Sequence, residues 1–220
     1  GPDVDADVRI LEVQQRETTR ARIVSAAYGE LGIELHMFGL HNARNAAAAI
    51  AVGAWLELPA PAMLEALRSV TPVGDRGRVL QLGSHLVIAD CYNANPGSVA
   101  AALASIAALG DGRRRIAVLG DMLELGWGEL EFHAEVGRRC AEAGVTALVA
   151  FGPRSRETAR AAKEAGVEVL ATEDVEIATR FVLARAEVPS VVLIKGSRGM
   201  RLERVVDRLG TEWGSRIGGD

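Results

Sequence analysis

The chain has 220 residues, 49% of them hydrophobic and 25% charged, and its formal net charge is −4. That length and apolar content can bury the core of one large domain or two small ones. The acidic balance gives no basic field, so we expect no nucleic-acid partner. No apolar run approaches 18 residues, so we expect no membrane insertion. Cys91 and Cys140 are too few for a disulfide framework or a metal cluster, which predicts free thiols, no metal ligands and a cytoplasmic location.

Apolar residues alternate with polar ones through residues 7–38, and this pattern predicts a three-stranded antiparallel meander. A helix is predicted from His41 to about Glu57, and a shorter one from Pro59 to Arg68. On the first helix, His41 and Asn45 are four residues apart on one face and could reach a common ligand. Such a pair is more often a capping or core arrangement.

Proline, glycine and charge interrupt the pattern from Thr71 to Arg78, which predicts a linker and a division into domains 1–72 and 73–220. Beyond it, short apolar runs alternate with amphipathic segments. This predicts an α/β fold, a Rossmann-like, mostly parallel sheet with helices on both faces, with an antiparallel edge strand added by a hairpin at Gly83-Ser84. The predicted strands are 79–82, 86–90, 115–119, 146–151, 167–171 and 190–195, and the predicted helices are 98–109, 129–143, 154–165, 174–186 and 200–209.

Polar residues follow three of these strands directly, in the segments 90–98, 120–126 and 195–199. In an open parallel sheet, ligands bind outside the carboxyl ends of the strands. The three segments therefore predict one shared site. Ser98 is the expected N-cap of the helix that follows the first segment.

Two of the segments contain candidate ligand contacts. Asp90 could accept hydrogen bonds from both hydroxyls of a ribose, or could cap its own loop as an Asx-turn. Lys195, Ser197 and Arg198 lie on a glycine-flanked turn that we place at the N-terminus of the last helix, which favours a carboxylate or phosphate site. Lys195 is one of only two lysines among 25 basic residues, which favours a specific role for its compact ammonium.

The middle segment is less decisive. Asp121 and Glu124 could polarise an amine or position a water, or could be solvent-facing turn residues. His133 could contact this loop or be a surface residue of its helix, and the pattern alone favours the surface. No Gly-x-x-x-x-Gly-Lys-Ser/Thr phosphate loop occurs in the sequence, so the chain cannot by itself cradle a nucleoside triphosphate in that way.

Together these motifs resemble a known family. The chain contains Asp90 before Tyr-Asn-Ala-Asn-Pro, then Leu-Gly-Asp-Met-Leu-Glu-Leu-Gly with His133 after it, then Lys-Gly-Ser-Arg at 195–198. In this order they resemble the Mur ligases, specifically those that add D-alanyl-D-alanine to UDP-N-acetylmuramoyl-tripeptide. The sequence His-Asn-x-x-Asn-Ala at 41–46 resembles a helix motif of the family's central domain.

The resemblance implies a cytoplasmic step of peptidoglycan synthesis. In that family ATP, with Mg²⁺, phosphorylates the tripeptide carboxylate, and the dipeptide amine then attacks the acyl phosphate. Residues 1–72 would be the tail of the central ATPase domain and residues 73–220 the C-terminal Rossmann-like domain. The chain would be inactive without the missing N-terminal half, which carries the phosphate loop, the metal ligands and the UDP-sugar site.

The resemblance also implies residue roles. Lys195 and Arg76 would be catalytic, although Arg78 competes with Arg76 for the arginine role. The nucleotide would contact Asn45, Arg76, Asp90, Tyr92, Asn93 and Asn95. The other substrates would contact Asp121, Glu124, His133, Lys195, Ser197 and Arg198.

Three departures and alternatives belong with this interpretation. Ala89 and Cys91 flank Asp90 where the family usually has a second acidic residue, often with a serine. A stand-alone Rossmann-like module that binds a nucleotide or a peptide without catalysis is the alternative function. A folylpolyglutamate synthase is disfavoured by the Tyr-Asn-Ala-Asn-Pro and Lys-Gly-Ser-Arg motifs.

Overall fold

A computed structural model of the chain describes residues 6–72, 74–109 and 112–217, and the side chains of the described residues up to 214. The chain divides into two compact units, Gly1–Val73 and Gly74–Asp220. Val73, within the predicted linker, lies outside the described residues. Each unit has its own hydrophobic core and is described by itself.

The first unit is a three-stranded sheet covered by two helices. Strands β1 (Val8–Gln15), β2 (Thr19–Ser25) and β3 (Gly29–Leu35) pair antiparallel in the order β1-β2-β3, followed by α1 (His41–Trp55) and α2 (Ala60–Ser69). Alternate strand side chains such as Ile23 and Ile33 point inward and pack on Ile50 of α1 and Met63 of α2. The predicted meander and both predicted helices are confirmed.

The second unit is built on a six-stranded sheet in the order β4-β5-β9-β6-β7-β8. Among the described strands of this sheet, β4 runs antiparallel to its neighbour β5 and the other pairs are parallel. This confirms the predicted mostly parallel sheet with an antiparallel edge hairpin. The strands are β4 (Arg78–Leu82), β5 (His85–Asp90), β6 (Arg114–Gly120), β7 (Val145–Phe151), β8 (Glu168–Thr172) and β9 (Ser190–Lys195), and the helices are α3 (Pro96–Ala107), α4 (Glu129–Glu142), α5 (Ser155–Glu164), α6 (Val175–Arg185) and α7 (Glu203–Ile217).

Helices cover both faces of this sheet. On one face, Val182 of α6 and Leu209 of α7 pack against a buried cluster that includes Val118 and Val149. On the other face, α3 contacts β9, and α4 and α5 contact β7. The central strands are buried on both faces, which is why they appear in sequence as continuous apolar runs.

Two helix starts differ from the prediction. Helix α3 begins at Pro96, and its N-cap is Asn95 rather than Ser98. Asn95 Oδ1 accepts a hydrogen bond of 2.8 Å from the Ser98 N–H, while the Asn95 N–H donates to Ser98 Oγ at 3.0 Å. This reciprocal capping box, with proline at the first helical position, outweighs a serine cap three residues later.

The second difference concerns the end of the chain. A single 3₁₀ turn, Arg198–Met200, follows β9, and α7 begins only at Glu203. The predicted placement of the Lys195 turn directly at the N-terminus of the last helix was therefore wrong. Within the described residues, no helix is long and apolar enough to span a membrane.

Candidate functional site

The three strand ends that carry the polar motifs lie side by side. Strand β9 lies between β5 and β6, with Lys195 opposite Asp90 on one side and Leu119 on the other. The last strand of the chain, β9, is inserted between β5 and β6. Its end at Lys195 is 105 positions after the end of β5 at Asp90. The segments after β5, β6 and β9 thus form one edge, called the carboxyl edge below.

Lys195 is buried at this edge and bound to the β5–α3 loop. Its Nζ donates to Asp90 Oδ2 at 2.6 Å and to the Asn93 carbonyl at 2.8 Å. The residue is 2% exposed. These acceptors engage two of the three N–H groups of the ammonium, and the catalytic contact of Lys195 with an incoming substrate stays a prediction. Oδ2 of Asp90 pairs with a residue of another strand, so this oxygen does not cap the loop as an Asx-turn.

The side-chain amides of Asn93 and Asn95 form hydrogen bonds within the β5–α3 connection. Asn93 Oδ1 accepts from the Ala94 N–H at 2.8 Å, and Asn95 Oδ1 caps α3. One lone pair of each oxygen is thus used within the loop, and the nucleotide contacts of Asn93 and Asn95 stay predictions. Their side-chain NH₂ groups remain as donors, since an amide carries both functions.

Arg76 and Tyr92 form the exposed part of this region. The guanidinium of Arg76 lies 3.6 Å from the centre of the Tyr92 ring, and Tyr92 is 46% exposed. Stacking on an aromatic face is favourable for a guanidinium and leaves its N–H groups available at the edge of the plane. Arg78 instead binds Asp75 at 2.8 Å and 3.0 Å. Of the two candidate arginines, Arg76 is therefore the better placed to meet a ligand.

The start of the β6–α4 loop is held through three successive backbone N–H groups. Asp121 donates to the Phe151 carbonyl at 3.2 Å, Met122 to His133 Nε2 at 3.0 Å and Leu123 to Ser197 Oγ at 2.9 Å. The Ser197 N–H also donates to the Asp121 carbonyl at 3.1 Å. The loops that follow β6 and β9 are thus joined by hydrogen bonds at their base.

The Asp121 side chain is 1% exposed and accepts hydrogen bonds from the segment between β7 and the start of α5. Its Oδ1 accepts from both the N–H and the Oγ of Ser155 at 2.7 Å, and its Oδ2 accepts from the Arg154 N–H at 3.3 Å. A carboxylate at the start of α5 satisfies N–H groups that have no partner within the helix. Both carboxylate oxygens are thus engaged within the fold, and the substrate contact of Asp121 stays a prediction.

Ser155 and Gly152 were not predicted from the sequence to belong to this site. Gly152 has a φ of +116°, and a Cβ there would lie 2.6 Å from Asp121 Oδ1, so only glycine lets the carboxylate approach. The available signal was the segment Gly152-Pro153-Arg154-Ser155, which directly follows a fourth strand of the same sheet. Polar residues after β7 belong to the same edge as those after β6, its neighbour.

His133 is buried, so the favoured surface interpretation was wrong and the loop contact is present. Because Nε2 accepts from the Met122 N–H, the ring proton lies on Nδ1 and is donated to the Glu129 carbonyl at 2.7 Å. The ring is neutral in this arrangement and both nitrogens are used. His133 therefore supports the loop, and its contact with a substrate stays a prediction.

Other predicted contacts are placed differently. The Arg198 side chain is 65% exposed, and its Nη1 lies 3.7 Å from Glu203 Oε1. Glu124 is exposed and has a φ of +63°. Ser197 is buried, yet its hydroxyl proton remains to be donated, since Oγ accepts from Leu123. Arg198 is thus the most accessible cation among the residues predicted to bind substrate.

Asn45 lies in the first unit, exposed on α1, with its Nδ2 donating to Asn42 Oδ1 at 3.1 Å. Asn42 in turn donates to the Phe38 carbonyl at 3.1 Å. His41 and Asn45 are both exposed, as expected for neighbours on one face of a helix. The Asn45 carbonyl oxygen Oδ1 is the group that such an arrangement offers to a ligand.

Cys91, beside Asp90, is a buried thiol that donates to the Ile194 carbonyl at 3.6 Å. Burial raises the pKa of Cys91 to about 12, and the charges of Asp75, Glu203 and Asp90 act in the same direction. Burial alone raises the pKa of Cys140 to about 12. Both thiols are therefore protonated at neutral pH, and neither has the properties of a nucleophile.

No group of three or more His, Cys, Asp or Glu residues within the described residues could hold a metal ion. The carboxylates of Asp90 and Asp121 are engaged by Lys195, Ser155 and Arg154. These residues do not fit a Mg²⁺ site, so no step is assigned to a metal held by this chain.

Comparison with known proteins gives a family match over residues 75–198, to the domain described as "Mur ligase, glutamate ligase domain". Among curated proteins, the chain is 36% identical over 181 residues to the UDP-N-acetylmuramoyl-tripeptide–D-alanyl-D-alanine ligase of Treponema pallidum, covering 79% of this chain and 38% of that protein. The chain therefore spans well under half the length of this relative.

Two solved structures are similar to the chain. MurF from Acinetobacter baumannii has a TM-score of 0.81 at 27% identity, over 94% of this chain and 45% of that one. The MurF ligase from Thermotoga maritima in complex with ADP has a TM-score of 0.80 at 24% identity, over 96% and 47% respectively. The second comparison supports the fold alone.

Proposed function

The chain belongs to the Mur ligase family, and from this premise we propose that it is the C-terminal part of an ATP-dependent ligase that adds D-alanyl-D-alanine to UDP-N-acetylmuramoyl-tripeptide. The observation that carries the proposal is the meeting of the three motif segments at one edge of the sheet, in the order β5-β9-β6. The curated relative that is 36% identical bears the name of this activity. The enzyme would act in the cytoplasm, in peptidoglycan synthesis.

The two units take different parts in this proposal. Residues 1–72 form the tail of the central ATPase domain and residues 73–220 form the C-terminal domain. The site would be composite and completed by an N-terminal half, and the support for this is the curated relative, of which this chain covers 38%. The chain alone is then expected to be inactive.

Asp90 is the proposed contact for the ribose of ATP. Lys195 occupies Oδ2, and a carboxylate oxygen has two lone pairs, so Oδ1 can accept hydrogen bonds from vicinal hydroxyls. The half-exposed ring of Tyr92 offers an apolar face beside it, and Arg76 offers a guanidinium to the phosphates.

Arg198 is the proposed contact for the dipeptide carboxylate. Its guanidinium is exposed, and a guanidinium can bind a carboxylate through two parallel hydrogen bonds. Ser197, through its remaining hydroxyl proton, would donate to the same group or to the peptide carbonyl. Glu124, exposed on the neighbouring loop, would lie near the dipeptide's ammonium.

ATP with Mg²⁺ supplies the phosphoryl group that activates the tripeptide carboxylate. The role of this chain is to bind and orient: it would hold the nucleoside at the β5–α3 loop and the dipeptide at the β9–α7 loop. Because β5 and β9 are adjacent, the two ligands would be brought close together. Such positioning raises the effective concentration of the attacking amine.

The experiment is an assay of the longer protein that carries this sequence. Mass spectrometry would follow conversion of UDP-N-acetylmuramoyl-tripeptide to the pentapeptide, with ATP hydrolysis dependent on both other substrates. D-alanyl-D-alanine should be accepted and D-glutamate refused. Formation of product with a single amino acid, or none with the dipeptide, would refute the proposal. Arg198→Ala should raise the KM for the dipeptide, whereas Arg156→Ala, another exposed arginine of the same unit, should not.

A further inference from the structure

Lys195 connects two points of the β5–α3 loop. The paired residues Asp90 and Lys195 lie opposite each other on adjacent parallel strands, and the ammonium reaches on to the Asn93 carbonyl. The Lys195 side chain is 3% exposed and that of Asp90 is 21% exposed. One cation thus fixes the carboxylate at the start of the segment and the backbone three residues later.

The two acceptors suit a buried ammonium. A buried ammonium needs acceptors to offset its lost hydration, and it finds a carboxylate and a carbonyl here. Hydrogen bonds in which one partner is ionised are shorter and stronger than neutral ones. The Cys91 thiol, bonded to the Ile194 carbonyl, joins the same two strands at the next position. The segment from Asp90 to Asn93 is therefore held from the β9 side.

We propose that Lys195 is a positioning residue for the nucleotide site rather than a contact of the incoming dipeptide. It holds Oδ2 of Asp90, so that Oδ1 is turned toward the ribose, and it holds the Asn93 carbonyl, which sets the course of the loop between them. The proposal rests on the proposed function in one respect, namely that this loop receives the nucleotide.

The geometry can be tested without any activity, because the sequence has only two lysines. Lys163 is exposed on α5 and Lys195 is buried. In a nitrogen-15 NMR spectrum of the lysine ammonium groups of this chain, Lys195 should give a persistent signal, since burial and hydrogen bonding slow exchange with water. The Lys163 signal should be broadened by exchange, and Lys163→Arg identifies it.

Asp90→Asn then tests the partner. It should shift or remove the Lys195 signal while leaving the rest of the amide spectrum largely unchanged. A Lys195 signal that exchanges as fast as that of Lys163, or that is unmoved in Asp90→Asn, would overturn the proposal. This measurement replaces Asp90, the partly exposed residue of the pair, and leaves Lys195 in place. It can therefore be made even if replacement of Lys195 prevents folding.

The positioning role is tested by kinetics of the longer ligase with Lys195→Met and, as a matched control, Lys163→Met. Loss of a charged hydrogen-bonding group should raise the KM for ATP by about tenfold or more, with the KM for D-alanyl-D-alanine little changed. A rise confined to the KM for the dipeptide would overturn the proposal. If the unmodified protein shows no ligase activity, the proposed function fails instead, and the NMR result still decides the contact.

Discussion

The Nε2 atom of His133 accepts a hydrogen bond of 3.0 Å from the backbone N–H of Met122. A side chain in the first half of α4 thereby holds the loop that leads into that helix. Without His133, the Met122 N–H would be left in a buried position with no acceptor. An unsatisfied buried donor costs about 1–3 kcal/mol.

We therefore predict that His133→Ala lowers the free energy of unfolding by about 2–3 kcal/mol, from the lost hydrogen bond and the lost packing together. Urea denaturation of the chain measures it. Leu130→Ala, an exposed position of the same helix, should change it by less than about 0.5 kcal/mol. Equal effects of the two substitutions would show that His133 does not support the loop.

Asp121→Ala should be among the most destabilising substitutions at the carboxyl edge. The buried carboxylate accepts from Ser155 twice and from Arg154, and hydrogen bonds to a charged group contribute about 1.5–3 kcal/mol each. We predict a loss of about 3 kcal/mol or more, measured by thermal and urea unfolding.

The exposed Glu124 is the matched control for this carboxylate, and Glu124→Ala should change stability by less than about 0.5 kcal/mol. A carboxylate kept for substrate binding is commonly a burden on stability, so its removal would leave the protein unchanged or more stable. That result for Asp121→Ala would favour the substrate contact predicted from the sequence.

Gly196→Ala should disturb the junction of β9 and β6. A Cβ at Gly196 would lie 2.8 Å from Leu202 Cδ1 and 3.1 Å from the Gly120 Cα. The backbone cannot yield as a flexible side chain does, so we predict a loss of about 1–3 kcal/mol.

Gly210→Ala provides the contrast, since a Cβ there meets nothing within 4 Å and the residue lies inside α7. Alanine is the better helix former, so this substitution should stabilise the protein by about 0.5–1 kcal/mol. Differential scanning calorimetry of both variants gives the comparison. If Gly196→Ala were as stable as Gly210→Ala, the backbones at Gly196 and Gly120 would have to be farther apart than the structure shows.

Stability should fall in alkaline solution because the buried thiols keep their protons. Burial raises the pKa of Cys140 to about 12 in the folded state, whereas an unfolded thiol ionises near about pH 8.5. The unfolded state thus loses its proton first. The stabilisation is fully present below the unfolded pKa and is lost as pH rises through the folded one.

The expected slope is about 1.4 kcal/mol per pH unit for each thiol within that window. The free energy of unfolding of the chain and of Cys140→Ala would be compared at pH 8 and pH 10. Because the other groups titrate in both proteins, the difference between the two pH dependences is the contribution of Cys140. Between pH 8 and pH 10, the free energy of unfolding of the variant should fall by about 2 kcal/mol less than that of the unmodified chain. Parallel pH profiles would show that Cys140 is ionisable, and so accessible, in the folded chain.

The local structure was largely predictable from the sequence. Apolar runs bounded by glycine and polar residues marked the strands, and the hairpin at Gly83-Ser84 was recognised from its turn residues. Helix starts were less secure, because Asn95 and Ser98 are both good capping residues and only the geometry shows that they cap reciprocally.

The partners of the site residues were not predictable. Asp90 and Lys195 are 105 positions apart, and Asp121 and Ser155 are 34 apart. Each pair meets only because of the strand order, with β9 inserted beside β5 and β7 beside β6. Residue type alone marked these side chains as polar groups at strand ends. Whether they face a ligand or one another is decided by tertiary packing.

The central claim is that this chain is one part of a composite site, and calorimetric titration tests it most directly. The chain would be titrated with ATP·Mg²⁺ and separately with D-alanyl-D-alanine, and again after Asp90→Ala. Without a phosphate loop, we predict nucleotide binding no tighter than about 1 mM, abolished by Asp90→Ala. Micromolar nucleotide binding by the chain alone would contradict the claim and favour an independent binding module.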